Sequence, residues 1–324
     1  MFIAAHSKIP KPVVLFLNFA SFFYKSVSFS RMSLKSLGRL RFPQVYIISV
    51  DNLSFGGTGK TPLIISLGKF LDERSIRFAV VSRGYKSRLE KTGAVVTVKH
   101  GVADVGDEAM MMKRQFPDQW VLVGRNRIRS LRRAIAGGVK IVILDDGFQT
   151  AHLYKDFRIM LINSEHPYFY LRHFRFLKRR SDCLLFNRPR PEAGEKTVSG
   201  WYDFELTGFF NPHGEAVPVI DSPIFAFSAL GDNERFKRDL DAFHLRGFKA
   251  FTDHYAYTAV DLTVLDGLRR QAGADYLVCT EKDFVKISDF PLENVPLLYV
   301  RNRIKLAASL FERILIDARR KNRL

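Results

Sequence analysis

The chain has 324 residues, enough for one large α/β domain or two modest ones, each with its own core. Hydrophobic residues make up 47%, which excludes a disordered chain, and two distant cysteines, Cys183 and Cys279, exclude a disulfide framework and fit a reducing cytoplasm. Lys and Arg number 51 against 33 Asp and Glu, and the formal charge of +18 asks for an anionic partner: nucleic acid, anionic lipid or a phosphorylated substrate.

The first element is an apolar run over residues 13–24 that continues to Phe29. Lys8 and Lys11 precede it, but no small-residue cleavage site closes it, so it does not read as a cleavable signal. Its uninterrupted part is shorter than the roughly 20 residues a bilayer span needs. Asn18, Ser21, Lys25 and Ser28 fall on one narrow stripe of a helix, opposite a wide face carrying Phe16, Phe19, Phe22, Phe23 and Phe29. Such a helix is expected to lie in a membrane interface. Arg31, Lys35, Arg39 and Arg41 follow and would hold anionic headgroups, at about 1 kcal/mol each. The alternative is a helix buried in the core.

Residues 44–50 (QVYIISV) read as a buried strand, followed by a glycine-rich turn and a helix over 62–71. Strands are predicted over 78–82, 94–99, 120–123, 140–144 and 158–163, and helices over 107–115 and 128–136, the latter ending at Gly137-Gly138. Strands alternating with helices predict a doubly wound, mostly parallel α/β sheet of the P-loop NTPase kind. From 201 to 219 the pattern alternates and breaks at Asn211-Pro212-His213-Gly214, a two-stranded β connection. Strands over 224–228, 249–251 and 276–279, with helices from about Glu234 and Ala259, then predict a second, smaller α/β domain. The expected division is 1–40 as a membrane-associating helix region, 41–200 as the P-loop core, 201–222 as a β-stranded linker and 223–324 as the C-terminal domain. A cleft between two α/β domains suits a two-substrate reaction.

The central motif is Ser54-Phe55-Gly56-Gly57-Thr58-Gly59-Lys60-Thr61, between a strand and a helix, the context a Walker A loop requires. The glycines let backbone N–H groups face phosphate oxygens, Lys60 would reach the β and γ phosphates of ATP, and Thr61 would place its hydroxyl on Mg²⁺. Ser54 stands where the usual pattern has its first glycine. Residues 140–146 (KIVILDD) fit a Walker B strand; Asp145 or Asp146 would support Mg²⁺, and the sequence leaves open which.

Together with this loop, SerArgGlyTyr at 82–85, GlyAspGlu at 106–108, AspAspGlyPheGln at 145–149, PheSerAlaLeuGlyAspAsnGluArgPhe at 227–236, PheThrAspHisTyr at 251–255 and ThrGluLysAsp at 280–283 resemble the tetraacyldisaccharide 4'-kinase family, the lipid A 4'-kinases. The matches run in family order from about residue 43 to 287. The resemblance implies transfer of the γ-phosphate of ATP to the 4'-hydroxyl of a tetraacylated glucosamine disaccharide 1-phosphate, giving lipid IVA. It also implies work on the cytoplasmic face of the bacterial inner membrane, peripheral or N-terminally anchored. A monomer is expected, with the lipid and an anionic membrane surface as partners and no nucleic acid.

By the same resemblance, Asp107 is the base that receives the 4'-hydroxyl proton and His254 its partner across the two domains. An aspartate doing this works mostly by orientation and late proton acceptance. Arg127 matches the family's phosphate-contacting arginine, with Arg125 and Arg129 as rivals by composition. Glu108 is a further candidate beside the metal, and Gln149, Arg83 and Arg172 are candidates on the substrate side. The run 172–180 (RHFRFLKRR) mixes bases and aromatics, which suits RNA in the abstract and, beside a lipid kinase, headgroups and the substrate's 1-phosphate. The chain also departs from the family: Asp51 replaces a usual glycine, Ala109 a common proline, Thr150 a histidine and Lys155 an arginine. In the loop over 165–173, His173 replaces an acid after Arg172. Two competing readings are a P-loop ATPase or GTPase switch that phosphorylates nothing, and a nucleic-acid-binding protein supported by charge alone. No Asn-Lys-x-Asp guanine signature is seen.

Overall fold

In the computed structural model the N-terminal segment is a 25-residue helix, α1 (Lys11–Lys35). The residues described throughout are 10–35, 38–53, 58–163, 171, 174, 176, 180–187, 198–218, 221–292, 295–306 and 309–324. Helix α1 turns its polar stripe inward: Lys25 is 1% exposed, and Asn18, Ser21 and Ser28 are half-buried. Its apolar face looks outward, with Leu15, Phe16, Phe19 and Phe23 each about 70% exposed. A helix in the core of a soluble protein has the opposite polarity, so the core-helix alternative is overturned. Phe29 leaves the expected apolar face. It packs against a cluster of Leu53, Phe148, Leu171 and Phe186 and meets the stacked rings of Phe174 and Phe176 edge-on. The side chains of Arg31 and Lys35 lie outside the described residues; Arg41 stacks over Tyr154 at 4.3 Å.

Two compact units follow from the chain's internal contacts: Ile3–Asp203 with Ile304–Leu324, and Phe204–Arg303. The first is built on β1 (Tyr46–Asn52), buried along its whole length because both sheet faces are covered. Helix α2 (Lys60–Asp72) leads to β2 (Phe78–Ser82), then β3 (Ala94–Val95), the single-turn α3 (Val102–Val105), α4 (Asp107–Gln115), β4 (Trp120–Val123), α5 (Arg127–Ala136) and β5 (Ile141–Asp145). A 3₁₀ turn, Gly147–Gln149, precedes β6 (Phe157–Asn163), β7 (Cys183–Asn187) and β8 (Val198–Phe210). The sheet order is β8-β7-β6-β1-β5-β2-β4-β3, parallel except for β3. From β1 the chain goes to β2 on one side and from β5 returns to β6 on the other. The carboxyl ends of β1 and β5 therefore form the switch point where open α/β sheets bind ligands.

The predicted strand over 94–99 pairs only at Ala94 and Val95, because Thr97 turns the chain by accepting from His100 N–H while its own N–H donates to His100 Nδ1. The second unit continues β8, pairs it with β9 (Ala216–Val217), and adds β10 (Ile224–Ser228), α6 (Asn233–Asp239), β11 (Leu245–Ala250), α7 (Ala259–Gln271), β12 (Tyr276–Thr280), α8 (Glu281–Ile287) and β13 (Leu297–Lys305). Its sheet order is β11-β10-β12-β13-β8. The expected β linker is thus built into this sheet, where β8 pairs with both β13 and β9. The expected C-terminal boundary also differs, since α9 (Ser309–Arg320) belongs to the first unit. Its apolar side buries Leu310, Phe311, Ile314, Leu315 and Ala318; Phe311 meets Phe70 at 5.3 Å, and Asp317 accepts a hydrogen bond from the Tyr46 hydroxyl at 2.5 Å.

Candidate active site

Strand β1 delivers the chain to the phosphate loop. Ser54, Phe55, Gly56 and Gly57 lie outside the described residues. Thr58 resumes the chain buried and held twice: Asn52 Nδ2 donates to its hydroxyl at 2.9 Å, and the Tyr202 hydroxyl donates to its carbonyl at 2.9 Å. Gly59 sits at φ 88°, the left-handed region a glycine enters without strain. It opens α2 directly at Lys60, with Thr61 buried one position on. No acid occupies the first turn of α2, so its N-terminal N–H groups and dipole remain available to an anion.

Strand β5 brings Asp145 beside this helix start. Ser82, at the end of β2, donates to Asp145 Oδ2 at 3.0 Å, while Asp145 Oδ1 is buried with no hydrogen-bond partner. Burial first, and then the nearby Glu108 charge, push the Asp145 carboxyl up to about 6 against the pull of Lys60. Asp146 follows in a left-handed turn at φ 55°. Arg127, first residue of α5, is buried at 8% exposure, donates to the Gly124 carbonyl and leaves its Nε without a partner. Burial lowers its pKa, and Asp145 and Asp146 counter that effect. Lys60, Glu108, Arg127, Asp145 and Asp146 therefore share one electrostatic neighbourhood at the switch point.

Asp107 begins α4 after Gly106 at φ 91°, is 7% exposed and accepts from the Glu108 N–H at 2.9 Å. Arg83 pairs with Glu90 at 2.7 Å, which also accepts from Lys86 N–H, so the guanidinium is tied to its own loop. Arg172 and the side chain of Gln149 lie outside the described residues. His254 belongs to the second unit, on a loop between β11 and α7. It is a non-glycine residue at φ 59°, half-exposed, with Asp253 at 3.9 Å. That loop is anchored below: Tyr257 donates to the fully buried Asp283 at 3.1 Å, which also takes Thr280 and Lys286.

Among the described residues no group of three or more His, Cys, Asp or Glu is placed to hold a metal by side chains alone. Magnesium in phosphoryl-transfer sites asks for less, one or two carboxylates plus substrate phosphates, and the orphaned Asp145 Oδ1 fits that demand. Asn52, Ser82 and Tyr202 were not singled out from the sequence. Ser82 lay inside a quoted motif, but its role needs the β2–β5 pairing to be seen.

A family model described as Tetraacyldisaccharide-1-P 4'-kinase matches residues 13–319. A tetraacyldisaccharide 4'-kinase of Desulfotalea psychrophila is 30% identical over 306 residues, covering 85% of this chain and 87% of the relative. One from Rickettsia canadensis is 33% identical over 256 residues, covering 75% and 76%. A crystal structure described as the "apo" form of LpxK from Aquifex aeolicus in complex with ATP is similar with a TM-score of 0.75 and 27% identity, over 92% of this chain and 96% of that one.

Proposed function

The chain belongs to the tetraacyldisaccharide-1-P 4'-kinase family and is an ATP-dependent kinase of lipid A synthesis, and on that premise we propose how its own residues do the work and where. The 4'-hydroxyl of a tetraacyldisaccharide 1-phosphate takes the γ-phosphate of ATP. The competing switch reading is not favoured, because the family match runs through both units.

The loop over Ser54–Thr61 cradles the ATP phosphates, with Lys60 neutralising the β and γ oxygens and the N–H groups at the start of α2 adding donors. Mg²⁺, when bound, supplies charge neutralisation between the phosphates, and Asp145 and Thr61 are the residues to hold it, with Asp146 and Glu108 behind them. The observation favouring Asp145 over Asp146 is its buried, unpartnered Oδ1. Arg127, desolvated and facing the same carboxylates, is placed to answer phosphate charge as it builds. Asp107 accepts the hydroxyl proton with His254 as its partner, and Gln149, Arg83 and Arg172 serve the lipid side. Arg83 does so only by giving up part of its bond to Glu90.

The enzyme works as a monomer at the cytoplasmic face of the inner membrane. The observation that carries this placement is the inverted polarity of α1: long and apolar enough to cross a bilayer, it exposes phenylalanines and turns its polar stripe inward. Deleting residues 1–30 is expected to weaken co-flotation with liposomes and raise the apparent KM for lipid more than that for ATP. Equal flotation of the truncated protein would reject the membrane role. Activity in the presence of a magnesium chelator would reject the metal assignment.

A further inference from the structure

We infer that Asp51, which no part of the mechanism above uses, is a positioning residue that ties the strand leading into the phosphate loop to the turn that follows Asp145 and Asp146. The inference rests on the roles proposed for those two aspartates. Asp51 is 1% exposed at the end of β1, directly before the loop. Its Oδ1 accepts the Phe148 N–H at 2.6 Å, and its Oδ2 accepts the Ser49 hydroxyl. The neighbouring backbone closes the same joint: Asp146 N–H donates to the Val50 carbonyl at 3.0 Å.

The turn has little freedom of its own. Asp146 is held at φ 55°, and a Cβ on Gly147 would lie 2.6 Å from Ser49 Oγ and 3.0 Å from Leu144 Cβ. Thr150 N–H returns to the Gly147 carbonyl, and Lys155 Nζ donates to the Thr150 carbonyl at 2.6 Å. Lys155 and Asp51 attract each other, against a burial that disfavours the charge on both. Lys155 and Asp51 line one cavity, with Arg39, Arg158 and Arg180 around it. Asp51 and Lys155 thus complement each other across this joint. Together they fix the aspartate-bearing turn to the strand that leads into the phosphate loop.

The test compares Asp51→Ala, Asp51→Asn and the double variant Asp51→Ala/Lys155→Met in the full-length protein. Asp51→Ala should lower kcat by ~10–100-fold with little change in the KM for ATP, the scale expected when reacting groups are misplaced by a fraction of an ångström. The midpoint of Mg²⁺ activation should rise by ~10-fold, because the carboxylates are no longer held in register. In the nucleotide-free protein, amide exchange of a peptide spanning residues 146–152 should quicken by ~10-fold or more as the Phe148 N–H loses its acceptor. Asp51→Asn keeps an acceptor oxygen and should hold exchange and kcat within ~3-fold of wild type. If Asp51→Ala fails to fold because Lys155 is left half-buried without a counter-charge, the double variant carries the same readings. Unchanged exchange and an unchanged Mg²⁺ midpoint in a folded alanine variant would overturn the inference. A wild type with no metal requirement would instead overturn the metal assignment, while the exchange measurement still judges Asp51.

Discussion

Lys60→Ala is expected to abolish turnover while leaving the fold intact. Lys60 is the first residue of α2 and only half-buried, so truncating it opens no core cavity. Its ammonium is close enough to Asp145 to offset part of the rise that burial imposes on that carboxyl, which places it near the carboxyl end of β5. Removing the charge that answers the β and γ phosphates should raise the barrier by several kcal/mol, with each ~1.4 kcal/mol a factor of ten. Label transfer from ATP reads the loss, and an unchanged circular dichroism spectrum and unfolding midpoint show that the fold survives. Near wild-type turnover in this variant would rule out the phosphate-loop assignment.

The second large effect is expected from Asp107 and His254. Each alanine substitution alone should lower kcat by ~10²–10⁴-fold, the usual range for a general acid–base group. If the two act as one unit, the double variant should be little worse than the more damaged single, because residues sharing one function are not additive. ATP affinity should change modestly, since Lys60, Thr61 and the Asp145/Asp146 pair are the residues proposed to carry the nucleotide and metal. Losses that multiply, or an active Asp107→Ala enzyme, would sink the dyad and leave the kinase assignment standing. His254 adds a further handle: a non-glycine residue at positive φ is uncommon, and its loop is anchored through Tyr257 to the buried Asp283. Tyr257→Phe should therefore lower kcat more than it changes the KM for either substrate, a split readable in the same assay.

Much of this fold was legible because its strands are buried on both faces. Short β-branched runs such as YIISV and IVIL punctuated by glycine turns have few other readings, and the helix over Asp107–Gln115 appears where the acids in its first turn signalled a start. Strand β7, CLLFN, was not legible: four apolar residues without β-branching, closed by Asn187, carry no period that separates strand from helix. Helix α9 was missed for a different reason. Its amphipathic pattern is clear in retrospect, but which unit it joins depends on Phe70 and Tyr46, more than two hundred residues earlier in the chain.

The site divides in the same way. Lys60, Thr61 and the Asp145-Asp146 pair stand in local motifs whose context, strand then loop then helix, can be read in one pass. Asn52, Ser82 and Tyr202 matter through pairings across the sheet, and no local spacing announces them. Asp51 was visible only as a departure from a family pattern. Its meaning emerges once the Phe148 N–H is found on its carboxylate.

Whether the phosphate leaving ATP arrives on a lipid is read by incubating the purified full-length chain with γ-labelled ATP, Mg²⁺ and a tetraacyldisaccharide 1-phosphate in detergent micelles, then separating lipid from aqueous label. Label is expected in the lipid at the 4' position, dependent on Lys60 and absent when the 4'-hydroxyl is blocked. Release of labelled phosphate into water at an undiminished rate, with none in the lipid, would contradict transfer to the lipid.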